Sequence, residues 1–145
     1  MIIIGIDPGA SSGGIAVVDG KDAEAMAWPI SKMTERDIWE FLFLCTADKA
    51  YIEQVGAFPG QGRSSIFKFG QNYGLLRGLL IAAGIPFETV TAGVWQKNMR
   101  CLSKGDKNVT KARAQELYPE LRITHSTADA LLIATYGRRK EQGGV

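Results

Sequence analysis

Cysteine and histidine are scarce here. The 145-residue chain has two of the first, Cys45 and Cys101, and one of the second, His125. The two thiols sit in unrelated apolar surroundings without partner spacing, so they read as reduced packing residues rather than a disulfide or a zinc site. Long hydrophobic runs are missing too. The N-terminal run "MIIIGID" is far too short to span a bilayer, and it lacks a basic n-region and a small-residue cleavage site. An intracellular, cytoplasmic protein with no membrane partner is the expectation. Neither a linker, a repeat nor a low-complexity tract interrupts the pattern before the tail "EQGGV", and 145 residues fit one domain, 1–145.

A strong charge of one sign is absent as well: the net charge is +2. Its distribution is uneven. Between Lys97 and Arg113 lie Lys97, Arg100, Lys104, Lys107, Lys111 and Arg113 against one acid, Asp106. Arg138, Arg139 and Lys140 form a second cluster. Such local excess suits a phosphate-rich partner, although solvated helix faces would read the same way.

What is present is a clear alternation of element types. "MIIIGID" is continuous and β-branched, as in a strand covered on both faces. "IAVVDG" reads as a second strand whose Asp19-Gly20 signals a hairpin, and "AEAMAWPI" as a third, stopped by Pro29. "TERDIWEFLFLC" is a helix capped by Thr34. "KAYIEQV" is the fourth strand, "RSSIFKFGQNYGLLRGLLIAAG" a long helix closed by Gly84, and "IPFETV" the fifth strand. Shorter helices follow at "AGVWQKNM" and "NVTKARAQELY", the latter ended by Pro119, and "TADALLIATYGRR" is the last. The order predicts an α/β fold, a five-stranded mixed sheet covered by helices on both faces.

Three acids stand where a greasy run ends or begins. Asp7 leaves the first strand before Pro8-Gly9, Glu53 lies near the end of the fourth, and Asp129 opens the apolar last helix. If the first and fourth strands are neighbours, Asp7 and Glu53 emerge at one end of the sheet. Like charges held close need protons or cations, and an oxygen-only set suits Mg²⁺ or Mn²⁺. Each acid also has a plain structural reading. Asp7 fits an Asx-turn, Glu53 a solvated strand end, and Ser126-Thr127-Ala128-Asp129 a capping box with Ser126 as the cap.

In this order and spacing, "IIGIDPG", "YIEQV" and "ADALLIATYG" resemble the RuvC-type Holliday-junction resolvases of the ribonuclease H-like superfamily, with the short phage-encoded branch nearest in length. The likeness spans almost the whole chain. It implies a ribonuclease H-like fold and a metal-dependent endonuclease that makes paired nicks in four-way DNA junctions, leaving 5′-phosphate and 3′-hydroxyl ends. Asp7, Glu53 and Asp129 would bind two divalent ions. The family's fourth ligand falls three or four residues before the last Asp, where this chain has Ser126 and His125. His125 is preferred, since imidazole ligates better, and it could instead handle the proton of the attacking water.

The resemblance also makes Lys107 a positive charge at the scissile phosphate, with Lys97 and Lys111 on the DNA backbone. Phe58 becomes a wedge between bases, and Arg63 a phosphate contact. A homodimer follows, as does work inside a bacterial cell or phage-infected host. Gly70, Gly74 and Gly78 recur every fourth residue, so something should approach the long helix there, either the sheet or a second subunit's equivalent helix. The alternatives are a ribonuclease H-like nuclease for other branched DNA or RNA–DNA hybrids, and a non-catalytic junction-binding module. Sugar kinases and actin-like ATPases share the first strand signature but need two such lobes.

Overall fold

The computed structural model describes residues 1–20 and 24–145. Five strands form one sheet: β1 (Ile2–Asp7), β2 (Gly14–Asp19), β3 (Ala25–Pro29), β4 (Lys49–Glu53) and β5 (Phe87–Val90), in spatial order β3-β2-β1-β4-β5. The β1–β2 and β2–β3 pairs are antiparallel, and β1–β4 and β4–β5 are parallel. The mixed sheet expected from the sequence is therefore present. Its third strand had been expected to begin at Ala23, which lies outside the described residues.

Two helices cover one face and three the other. Helices α1 (Glu35–Leu44) and α2 (Arg63–Ala82) pack through Ile38, Leu42, Leu76 and Leu80 onto Ile4, Ile6, Ile15, Ala50 and Ile52. Helices α3 (Ala92–Asn98), α4 (Lys107–Leu117) and α5 (His125–Glu141) share the opposite cluster with Ile3, Ala16, Val18 and Tyr51. Period-2 alternation divides β1 between them, which is why the strand reads as unbroken apolar sequence.

Local chemistry sets the helix ends. Thr34 and Asp37 form a reciprocal capping box at α1. Gly84, at φ +70, closes α2 with the Ile85 amide donating to the Leu80 carbonyl, the left-handed arrangement that glycine adopts without steric cost. At α5 the cap differs from expectation. Thr124, not Ser126, is the N-cap, and its box partner is Thr127. The helix thus starts earlier, and Asp129 is released from any capping duty.

Helix α5 lies unusually close to the sheet. A Cβ on Gly5 would sit 2.2 Å from the Ala130 carbonyl oxygen, and one on Gly14 would sit 2.1 Å from that of Ser126. These two glycines allow the helix to dock directly over β1 and β2. Among the described residues, no helix is long and apolar enough to cross a membrane.

Candidate active site

The strand register explains how two acids meet. Ile3 of β1 and Tyr51 of β4 belong to the α5-side cluster, so alternation turns Asp7 and Glu53 to that same face. Parallel pairing matches Ile6 with Ile52, which leaves the next residues, Asp7 and Glu53, side by side on strands about 5 Å apart. Asp129 comes down from the second turn of α5. All three carboxylates share one end of the sheet.

Their electrostatics report the crowding. Burial holds the Asp7 carboxyl well above its usual range, the charges of Glu53 and Asp129 raise it further, and only Lys107 lowers it. Burial also raises Glu53, with a smaller push from Asp129, while the Trp95 indole N–H and Lys107 pull it down. The Cys101 thiol is pushed up to about 11 by burial and by the Asp129 charge, which places this cysteine beside the same cluster.

Compensation within the protein is thin. Lys107 Nζ lies 4.0 Å from Asp129 Oδ2 and is half-exposed. Trp95 Nε1 donates to Glu53 Oε2 at 2.7 Å. Asp129 Oδ1 is buried without a hydrogen-bond partner, a costly condition for a carboxylate oxygen. Among the described residues no three Asp, Glu, His or Cys side chains close into a ready-made cage for an ion. The set nonetheless fits a hard divalent cation. Its donors are oxygens, one buried lone pair is orphaned, and three carboxylates face a single ammonium.

The remaining expected residues differ in where they lie. Lys107 is the first residue of α4, capped by Asp106, and is inside the centre. His125 is the first residue of α5, exposed, one turn before Asp129 and so on the same side of the helix; Ser126 follows it, half-buried. Among the described residues neither the His125 nor the Ser126 side chain makes a hydrogen bond or ion pair with the acids. Phe58, Arg63 and Lys97 lie on the surface, Phe58 at 66% exposure. Phe58 therefore does not fold back onto the core. Lys111 is half-buried, one turn beyond Lys107 on α4. The C-terminal basic cluster lies at the far end of the sheet, where Lys140 pairs with Glu88.

Two supporting residues escaped the sequence reading. Trp95 is fully buried and steers Glu53. Asn72 accepts a buried 2.8 Å bond from the Gly9 amide and so ties the loop after Asp7 to α2. The signal for Asn72 was available: it shares the inward face of α2 with Leu76 and Leu80, and an amide in such a row needs a partner. A tryptophan in a short helix signals only that its N–H will seek an acceptor if buried.

No family model matches the sequence, and comparison with curated proteins returns no significant match. Solved structures do match. Thermus thermophilus RuvC in complex with Holliday junction substrate superposes with a TM-score of 0.70 at 18% identity, covering 99% of this chain and 97% of that one. The Thermus thermophilus RuvC structure alone gives 0.66 at 18% identity over 99% and 98%. The fowlpox virus resolvase bound to Holliday junction DNA gives 0.51 at 11% identity over 95% and 99%. Architecture and acids define an α/β protein with a charge-dense centre at one end of its sheet. The fold itself is that of RuvC, ribonuclease H-like.

Proposed function

We propose that this chain is a metal-dependent, structure-selective endonuclease that resolves four-way DNA junctions by paired nicks. The observation that carries the reading is the undercompensated carboxylate trio on a RuvC fold, with Asp129 Oδ1 buried and unpartnered. The neighbouring RuvC and fowlpox structures hold Holliday junctions. Asp7, Glu53 and Asp129 would hold Mg²⁺ or Mn²⁺, as a pair of ions, with His125 as the fourth ligand. When bound, the ions supply a water of lowered pKa and charge stabilisation on the phosphate.

The chain's own residues do the rest. Trp95 orients Glu53. Lys107 supplies fixed positive charge beside Asp129, where negative charge develops on the phosphate. Asn72 pins the loop behind Asp7. Phe58, on its exposed loop, is the wedge between bases, and Arg63, Lys97 and Lys111 contact the DNA backbone. The products carry 5′-phosphate and 3′-hydroxyl ends, and the site of action is the cytoplasm of a bacterial cell or infected host.

Paired nicking calls for two active sites, and a homodimer supplies them. The glycine stripe supports this arrangement. A Cβ on Gly70, Gly74 or Gly78 would meet nothing within 4 Å, so the stripe faces away from the sheet. Phe67 and Ile81, 66% and 68% exposed, flank it on the same helix. A second copy of α2 is the partner that fits.

The deciding experiment offers a synthetic four-way junction, a flap and an RNA–DNA hybrid to the protein in Mg²⁺ and in Mn²⁺. Symmetric incision of the junction is expected, and Asp7→Asn should abolish it while junction binding persists. Preferential cutting of the hybrid or flap would reassign the substrate. Binding without incision in either ion would make the protein a junction-binding module.

A further inference from the structure

Beside the loop that follows Asp7 lies a groove that none of the roles above uses. The loop after Asp7 doubles back, with the Gly13 amide donating to the Gly9 carbonyl at 2.9 Å. Asn72 holds that loop against α2. Between the two lies a hollow of about 570 Å³, lined by Ser11, Ser12, Gln61, Ser65, Lys68 and Phe69. Ala10 and Lys68 also line a second hollow of about 290 Å³ that includes Ser31, Gln71 and Glu35.

The chemistry of the nearer hollow suits a phosphodiester. It offers three hydroxyls, one amide and one ammonium, and no carboxylate lines it. Lys68 is exposed and has no ion-pair or hydrogen-bond partner among the described residues. Ser11 and Ser12 are exposed and likewise make no hydrogen bond among them. Phe69, half-buried, supplies an apolar wall for a sugar or base. Among the lining residues the one acid, Glu35, stands in the farther hollow, whereas in the nearer one Lys68 meets only hydroxyl, amide and apolar groups, which places the anion there. Hydroxyl donors, one free cation and an aromatic wall are the elements of a track for a nucleic-acid strand.

We infer that this groove seats the DNA strand next to the cleaved phosphate, with Lys68 and the Ser11, Ser12 and Ser65 hydroxyls gripping one backbone phosphate. The inference rests on the nuclease reading and extends it to a defined subsite. Asn72 couples the two places, because the loop it anchors carries Asp7 at one end and the groove's serines at its tip. A phosphate seated there would fix the strand's register over the acidic centre.

The test is a four-way junction carrying single neutral methylphosphonates at successive positions on either side of the cut, with binding measured in Ca²⁺. Lys68→Gln should weaken the unmodified junction about 5-fold and reduce the log–log salt slope by about one unit. One methylphosphonate should weaken the native protein but cost Lys68→Gln nothing, since both remove the same contact. Lys68→Arg should restore affinity, and Lys140→Gln, an equal loss of charge at the far end of the sheet, should leave the methylphosphonate pattern unchanged. If every methylphosphonate weakens native protein and Lys68→Gln by the same factor, the groove holds no phosphate, although junction cutting stands. A native protein that neither binds nor cuts any branched DNA overturns the nuclease reading, and this inference with it.

Discussion

Asp7 is an acid placed where water is scarce and two further acids are near, and that predicament sets its titration. Its folded-state pKa is above its ordinary value of 3.8, so in the window between the two the native state holds a proton that the unfolded state has released. Stability from this group is therefore present at low pH and is lost as pH rises through the folded pKa. Without divalent ions, Asp7→Asn should be more stable than the native protein at neutral pH, by about 1–2 kcal/mol, and the advantage should shrink toward pH 4 or so. Thermal melts of both proteins across that range, in chelator, check this. Divalent ions should raise the native midpoint more at high pH, where they compete with fewer protons, and should leave Asp7→Asn nearly unmoved. Trp95→Phe removes the hydrogen bond that lowers Glu53, so its ion-induced stabilisation should begin at a higher pH. The three acids were legible in the sequence because each interrupts an apolar run. Their orientation was not, since it depends on the partner Glu53 finds on a helix 42 residues downstream.

At the scale of elements, strand and helix types followed from periodicity and turn chemistry, and Thr34, Gly84 and Pro119 mark ends where the sequence put them. The start of α5 was misread for a physical reason. "THSTAD" contains three candidate caps, and Thr124 prevails because Thr127, three residues on, returns the bond. Nor could any linear pattern reveal that Gly5 is small because Ala130 and Ala134 lie on it. Its consequence can be measured. Gly5→Ala pushes a methyl into backbone 2.2 Å away, and should cost about 2–4 kcal/mol in denaturant unfolding. Because the displaced helix carries Asp129, incision should fall by about 100-fold even where the variant remains folded.

For the whole molecule, the proposed paired nicking raises the question of how one centre becomes two coordinated cuts. The outward glycines of α2 weaken that helix relative to alanine by roughly 1 kcal/mol each, although a Cβ at any of them would meet nothing within 4 Å. Replacing Gly74 by arginine improves helix propensity while blocking close approach. It should yield a folded monomer by sedimentation that nicks a cruciform plasmid once instead of linearising it. A Gly74→Arg protein that sediments as a dimer and linearises the plasmid would show that the copies meet elsewhere. The stripe was visible in the sequence, but its direction was not, because helical spacing alone does not say which side faces the sheet.

The order in which the acids occur along the chain has an outcome for biosynthesis. Asp7 and Glu53 are in place once the central strands pair, yet Asp129 arrives on α5, the last helix. A ribosome must therefore have released α5 before the trio exists. Until α5 settles over Gly5 and Gly14, the nascent polypeptide carries two of the three acids and lacks the assembled centre on which the proposed incision depends.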